Sequence, residues 1–392
     1  MAVVGSANPI CVAIGALAGH YLLGPDKSLA SAPVTAFTVG VAIGALPAAA
    51  LLRAVGGRNG FMLGTLVTAL GGAIATLALF RGSFWLLALG TLLVGFGGAF
   101  VQQLRFAAAD DAPPEFKARA ISFVMAGGVV TAILGPQVVI FTRELFAPVM
   151  FAGSFAAIMA LAGVGALILS FLRPKGHAAQ AEPAADPLPA RSLPEIVRQP
   201  RFAVALLCGV SSYALMSFVM TGAPLAMVGC GFTPEQATLG ISWHVVAMFA
   251  PSFFTGGLIT RYGTEKIIAA GFALLIASAA VALSGIALWQ FWTSLILLGL
   301  GWNFGFIGAT AMVANTYRPA ENGKAQGFHD LVLFSSVALG SLMSGIAYNA
   351  WGWDLLNWVV FPVSVLCLLA LGWMASRRPT GDFSADARAR SN

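Results

Sequence analysis

The sequence predicts an all-α membrane protein with twelve transmembrane helices in two pseudo-symmetric six-helix bundles. Three observations carry that expectation. Of 392 residues, 58% are hydrophobic and only 9% charged, where a soluble domain carries about 25% charged residues. Mean hydropathy is +0.86. The apolar residues fall into long runs divided by short turns, and the cations fall almost entirely into every second turn.

A membrane span needs roughly 20 mostly apolar residues. The runs that qualify cover residues 3–24, 28–52, 60–80, 83–104, 118–141, 148–172, 202–229, 235–260, 265–286, 288–312, 325–349 and 354–376. Most gaps are tight turns, such as Gly24-Pro25-Asp26-Lys27 and Phe80-Arg81-Gly82-Ser83. With a cytoplasmic N-terminus and twelve crossings, the inner loops hold 18 of the 21 lysines and arginines, and the outer loops hold Lys27, Arg81 and Arg143. This asymmetry predicts both termini on the cytoplasmic side of the membrane. It also accounts for the net charge of +6 without a nucleic-acid partner. No basic leader precedes the first apolar run, so no cleavable signal peptide is expected. The cysteines, Cys11, Cys208, Cys230 and Cys367, lie in or beside apolar runs and form no CxxC, so neither a disulfide framework nor a zinc site is expected.

The longest loop, residues 173–200, is rich in proline and poor in large apolar side chains and predicts a mobile cytoplasmic linker. The expected domains are an N-terminal bundle over 1–172, a linker over 173–200, a C-terminal bundle over 201–376 and a disordered cytoplasmic tail over 377–392. The bundles share residues at a constant offset of 207. Leu51 and Gly56 after the second run fall on Leu258 and Gly263 after the eighth, and Lys117-Ala118 falls on Lys324-Ala325. A common offset at two places predicts an internal repeat.

Two spacings suggest chemistry. Met216 and Met220 stand i, i+4 in the seventh run, and His244 and Met248 stand i, i+4 in the eighth. On a helix each pair shares a face. At 1.5 Å per residue, Met220 and Met216 lie about 12 and 18 Å from the outer end, and His244 and Met248 about 14 and 20 Å. Thioether and imidazole donors suit Cu(I), while Met and Cys also fill apolar cores. Cys208, Met227 and Cys230 share an arc of the seventh helix with the Met pair and form a candidate sulfur relay. His329-Asp330 at the start of the eleventh run and Asn303 in the tenth are candidate gating or cavity residues, with an interfacial pair the plainer reading of the first two. Arg105, closing the fourth run, is expected at the headgroups. No carboxylate is expected in mid-span.

Twelve spans, a central linker and related halves resemble the major facilitator superfamily over essentially the whole chain. Its loop signature G-x-L-x-D-R-x-G is matched by Gly256, Leu258, Arg261 and Gly263, with Thr260 in place of the acid; in the first half Ala49 and Arg53 replace the first Gly and the Asp. The pairs Met216/Met220 and His244/Met248 resemble those of the CcoA-type copper importers, whose sister branch is associated with riboflavin uptake. That resemblance implies alternating-access copper import for cbb-type oxidase assembly, with those four residues as metal ligands. It further implies copper as substrate, no prosthetic group, a possible cytoplasmic copper acceptor, surrounding lipid and a monomer. The alternative is uptake of a small organic solute such as riboflavin, motivated by that branch and by Trp243, Phe249, Phe253, Phe254, Trp302 and Phe306. A non-transporting receptor or assembly factor is a further alternative. No nucleotide loop or catalytic triad spacing is present, so no enzyme is expected.

Overall fold

The structure, a computed structural model, describes residues 3–23, 29, 32–110, 112, 113, 115–171 and 190–376. Lys27, most of the expected linker and the expected tail lie outside the described residues. Six helices precede the linker: α1 (Ala7–Leu22), α2 (Ala32–Val55), α3 (Gly57–Phe80), α4 (Phe84–Asp110), α5 (Lys117–Thr142) and α6 (Ala152–Ser170). A short helix, α7 (Leu193–Val197), lies in the described end of the linker, and after it come α8 (Pro200–Gly229), α9 (Pro234–Phe249), α10 (Ser252–Tyr262), α11 (Thr264–Leu283), α12 (Leu288–Ala314), α13 (Asn322–Trp358) and α14 (Val360–Ser376). Nine described helical stretches are long and apolar enough to cross a membrane, or ten if the bent pair α9/α10 counts as one span. The last of the nine, α13 with α14, is broken at Gly352, whose φ of 75° is not helical. That break and the shorter α1 bring the crossings to the expected twelve.

Two elements differ from the expectation. The eighth span is not one rod: α9 and α10 meet at 41°. The cause is Pro251, which lacks the N–H that would continue the helix ladder. The described end of the linker is also ordered rather than loose. α7 carries a capping box, with the Ser192 amide donating to Glu195 Oε2 at 2.7 Å. Just before it, the Arg191 guanidinium grips Glu321 through Nε to Oε1 (2.8 Å) and Nη2 to Oε2 (2.6 Å). Glu321 is fully buried, and this grip pushes its carboxyl down to about 2.

The repeat is written in the backbone. Gly56 and Gly263, 207 residues apart, both precede the next helix with φ of 81° and 90° and ψ of 158° and 155°, a conformation open mainly to glycine. Close helix approaches recur at the same offset. A Cβ at Gly64 would lie 2.6 Å from the Phe100 side chain on α4, and one at Gly271 would lie 2.5 Å from the Gly305 amide on α12.

The halves meet along two pseudo-equivalent seams, α2 against α13 and α5 against α10. Ala49 of α2 abuts Gly327 of α13, and its counterpart Gly256 of α10 abuts Ala118, Arg119 and Ser122 of α5. Both signature positions therefore serve interhelical packing. These seams lie at the arginine-rich end of the molecule, where Arg53 also rests over Gly323.

Candidate functional site

α4 and α13 bring four polar side chains together between the halves. Arg105 Nη2 donates to Asp330 Oδ1 at 2.5 Å, and Gln103 Nε2 donates to Oδ2 at 3.0 Å. His329 Nδ1 lies 2.9 Å from Oδ1; an ionised carboxylate only accepts, so that nitrogen carries the proton. Arg105 and Asp330 are each only 1% exposed. Burial without pairing would cost several kcal/mol per charge, so the arrangement is a cross-link rather than decoration. One turn nearer the basic end, Asp110 of α4 accepts from Gln326 (2.8 Å), Tyr317 (3.1 Å) and Asn322 (3.3 Å) of the second half. Five side-chain hydrogen bonds thus join the halves at their arginine-rich end.

This corrects one expectation: Arg105 is not an anchor at the headgroups but is buried between the halves, paired with Asp330 near the arginine-rich end. The reason is mutual: α4 runs on to Asp110 and α13 starts at Asn322, so both side chains stand within their helices and meet across the seam between the halves.

An aromatic cluster adjoins the ion pair. The Arg105 guanidinium lies 5.0 Å from the Phe306 ring and 4.7 Å from that of Phe106. Phe306 stacks on Trp302 at 5.0 Å and 16°. Tyr213 of α8 meets both edge-on at 5.2 Å, and Phe249 meets Trp302 at 5.6 Å. The Trp302 indole N–H is buried with no partner among the described residues. Of the six aromatic residues picked from sequence, Phe249, Trp302 and Phe306 gather here. Trp243, Phe253 and Phe254 are instead exposed on the outer surface. Tyr213 was missed, because nothing in its own run marks it.

Asn303 braces the bend of the eighth span. Its Nδ2 donates to the Met248 carbonyl (2.6 Å) and to Ser252 Oγ (2.7 Å), and its Oδ1 accepts from Thr255 Oγ1 (2.7 Å). It thereby satisfies a backbone carbonyl beside Pro251.

Met216, Met248 and His244 are buried in the second half, and Met220 is partly buried. His244 Nδ1 contacts the Leu295 carbonyl of α12 at 2.7 Å, and its Nε2 is buried without a partner among the described residues. Met227 and Cys208 are fully buried, whereas Cys230 is exposed at the end of α8. Among the described residues no group of three or more His, Cys, Asp or Glu is placed to hold a metal.

The family model of the Major Facilitator Superfamily matches residues 1–251 and, again, 205–391. The chain belongs to the major facilitator superfamily. It is therefore a multi-pass membrane transporter and not an enzyme. It is 50% identical to the riboflavin transporter RfnT of Brucella anthropi, over 93% of this chain and 91% of that protein. It is 31% identical to the MFS-type transporter YdeG of Bacillus subtilis, over 93% and 88%. Among solved structures, the fold is similar to that of the transporter FucP in its outward conformation (TM-score 0.68, 16% identity, 94% and 98% covered). It is likewise similar to the proton:xylose symporter XylE (TM-score 0.74, 13% identity, 96% and 93% covered). The RfnT relationship overturns the copper reading: identity across nine-tenths of both chains outweighs four residues at helical spacing. The implied metal roles of Met216, Met220, His244 and Met248, and the relay through Cys208, Met227 and Cys230, fall with it. Burial of Met216, Met248, Met227 and Cys208 is what core packing by soft apolar side chains requires.

Proposed function

We propose that this transporter imports riboflavin by alternating access of two halves, 1–172 and 201–376, across the cytoplasmic membrane. The observation that carries the reading is the 50% identity to a riboflavin transporter over 93% of the chain. The site chemistry is compatible with it. The isoalloxazine ring is a flat, polar-edged aromatic, and the cluster of Trp302, Phe306, Tyr213 and Phe249 supplies stacking faces. The buried Trp302 N–H and Arg105 Nε are donors without partners among the described residues, suited to ring carbonyls once the cluster opens. The charge asymmetry of the loops supports a cytoplasmic position for the arginine-rich end and both termini. With the inter-half hydrogen bonds at that end, the conformation is one closed toward the cytoplasm.

The test is growth. A riboflavin auxotroph without its own importer, expressing this chain, should grow at riboflavin concentrations that do not support the vector control. Equal growth of the two strains, with the protein present in the membrane, would remove the flavin reading.

A further inference from the structure

We propose that the groove between α5 and α10 at the arginine-rich end binds one anionic glycerophospholipid, whose phosphate is held by Arg119 and Ser122. The inference is independent of which solute the transporter carries.

The groove is a cavity of about 270 Å³ on a seam where the two halves meet. α5 lines it with Arg119, Ser122 and Phe123, and α10 lines it with Phe253, Gly256 and Gly257. On each helix these residues stand at i, i+3 and i+4, which is one helical face. Two adjacent glycines shape the hollow. A Cβ at Gly256 would lie 2.6 Å from the Arg119 Cα and 2.9 Å from the Ser122 Cβ, whereas a Cβ at Gly257 would meet nothing within 4 Å. Gly256 therefore closes the seam, and Gly257 leaves the space beside it open. Because its walls come from both halves, the site is complete only while they are joined here.

Polarity changes along the groove as it does along a lipid. Arg119 lies in the first turn of α5 and Arg261 in the last turn of α10, which places both cations at the membrane–water boundary. Phe123 is four residues, about 6 Å, deeper than Arg119. Phe123 and Phe253 are 55% and 63% exposed on helices that cross the membrane, so this end of the groove opens toward acyl chains.

Two groups in the groove call for a ligand. Ser122 is only 2% exposed, and its hydroxyl has no partner among the described residues; buried polar atoms are ordinarily paired. Arg119 forms no ion pair among the described residues. A phosphodiester accepts from both, the guanidinium giving a charge-assisted bond and the hydroxyl a neutral one. Charge then selects the class of lipid. Arg119 and Arg261 flank the groove from the two helices, so a zwitterionic headgroup would bring its own cation against theirs, and an anionic one would not. Glu115, the nearest described acid in sequence, precedes α5 and does not line the groove. Basic pockets between transmembrane helices are established sites for anionic headgroups.

The test is native mass spectrometry of the full-length protein, delipidated in detergent and titrated with phosphatidylglycerol, phosphatidylcholine or inorganic phosphate. One phosphatidylglycerol should remain bound, at about tenfold higher affinity than phosphatidylcholine, and excess inorganic phosphate should not displace it. Arg119→Gln should weaken that binding about fivefold, and Ser122→Ala about fivefold as well. Gly257→Leu, which fills the hollow without touching the seam, should abolish it. Arg81→Gln, exposed in an outer loop, should bind as the parent does. An unfolding temperature equal to the parent's establishes that each variant is folded. Equal retention of the two lipids overturns the proposal, as does displacement by inorganic phosphate, which would mean an anion site only. Parental binding in either Arg119→Gln or Gly257→Leu also overturns it.

Discussion

Arg105 of the first half and Asp330 of the second form an ion pair 2.5 Å long with both side chains only 1% exposed. It is the point at which the fold, the seam between the halves and the aromatic cluster meet. Substituting either partner strands the other charge in a dry site. Arg105→Ala and Asp330→Ala should each cost about 3–5 kcal/mol, and the double variant should cost less than their sum. Thermal unfolding of the purified protein in one detergent measures all three.

The aromatic cluster should set flavin affinity. Trp302→Leu removes the stacking face and the indole donor together, and a stacked ring contributes about 1–3 kcal/mol by analogy with base–aromatic pairs. The riboflavin KM should rise by at least about tenfold, whereas Trp302→Phe should fall between the two. Trp243→Leu, on the exposed outer face, should leave the KM unchanged in the same uptake assay.

Much of the architecture was legible in sequence because membrane physics leaves few choices: apolar runs of span length had to be helices. The 207-residue repeat was legible in the loop after the second and eighth runs, since Gly56 and Gly263 hold the same unusual backbone angles. The ion pair was hidden because its members are 225 residues apart and each sits near the end of its own run, where a headgroup position was the natural expectation. The bend in the eighth span was announced by Pro251, whereas its brace, Asn303, required the neighbouring helix. Met216, Met220, His244 and Met248 show the opposite failure. Their spacing was read correctly as helical and shared-face, but the same spacing serves packing and ligation alike.

That correction is itself testable. The triple variant Met216→Leu, Met220→Leu and Met248→Leu keeps volume and apolarity, at less than about 1.5 kcal/mol per site. Riboflavin uptake by cells carrying it should stay within about twofold of the parent. A collapse of uptake with the protein still folded would return those sulfurs to the site.

The linker clamp should weaken with acid. Glu321 has its carboxyl held at about 2 rather than its ordinary 4.5, chiefly by the Arg191 hydrogen bonds. Its contribution is therefore complete above about pH 4.5 and is lost as pH falls toward 2. Arg191→Ala should cost about 1.5–3 kcal/mol at neutral pH, and Glu321→Gln should flatten the acid limb of the stability curve. Thermal unfolding between pH 6 and 3 reads both.

The most direct measurement of the import claim is tracer riboflavin uptake into liposomes holding only this purified protein. Saturable uptake that unlabelled riboflavin competes away, and that Trp302→Leu weakens, is the expected result. Protein-containing vesicles that take up riboflavin no faster than empty ones would contradict it.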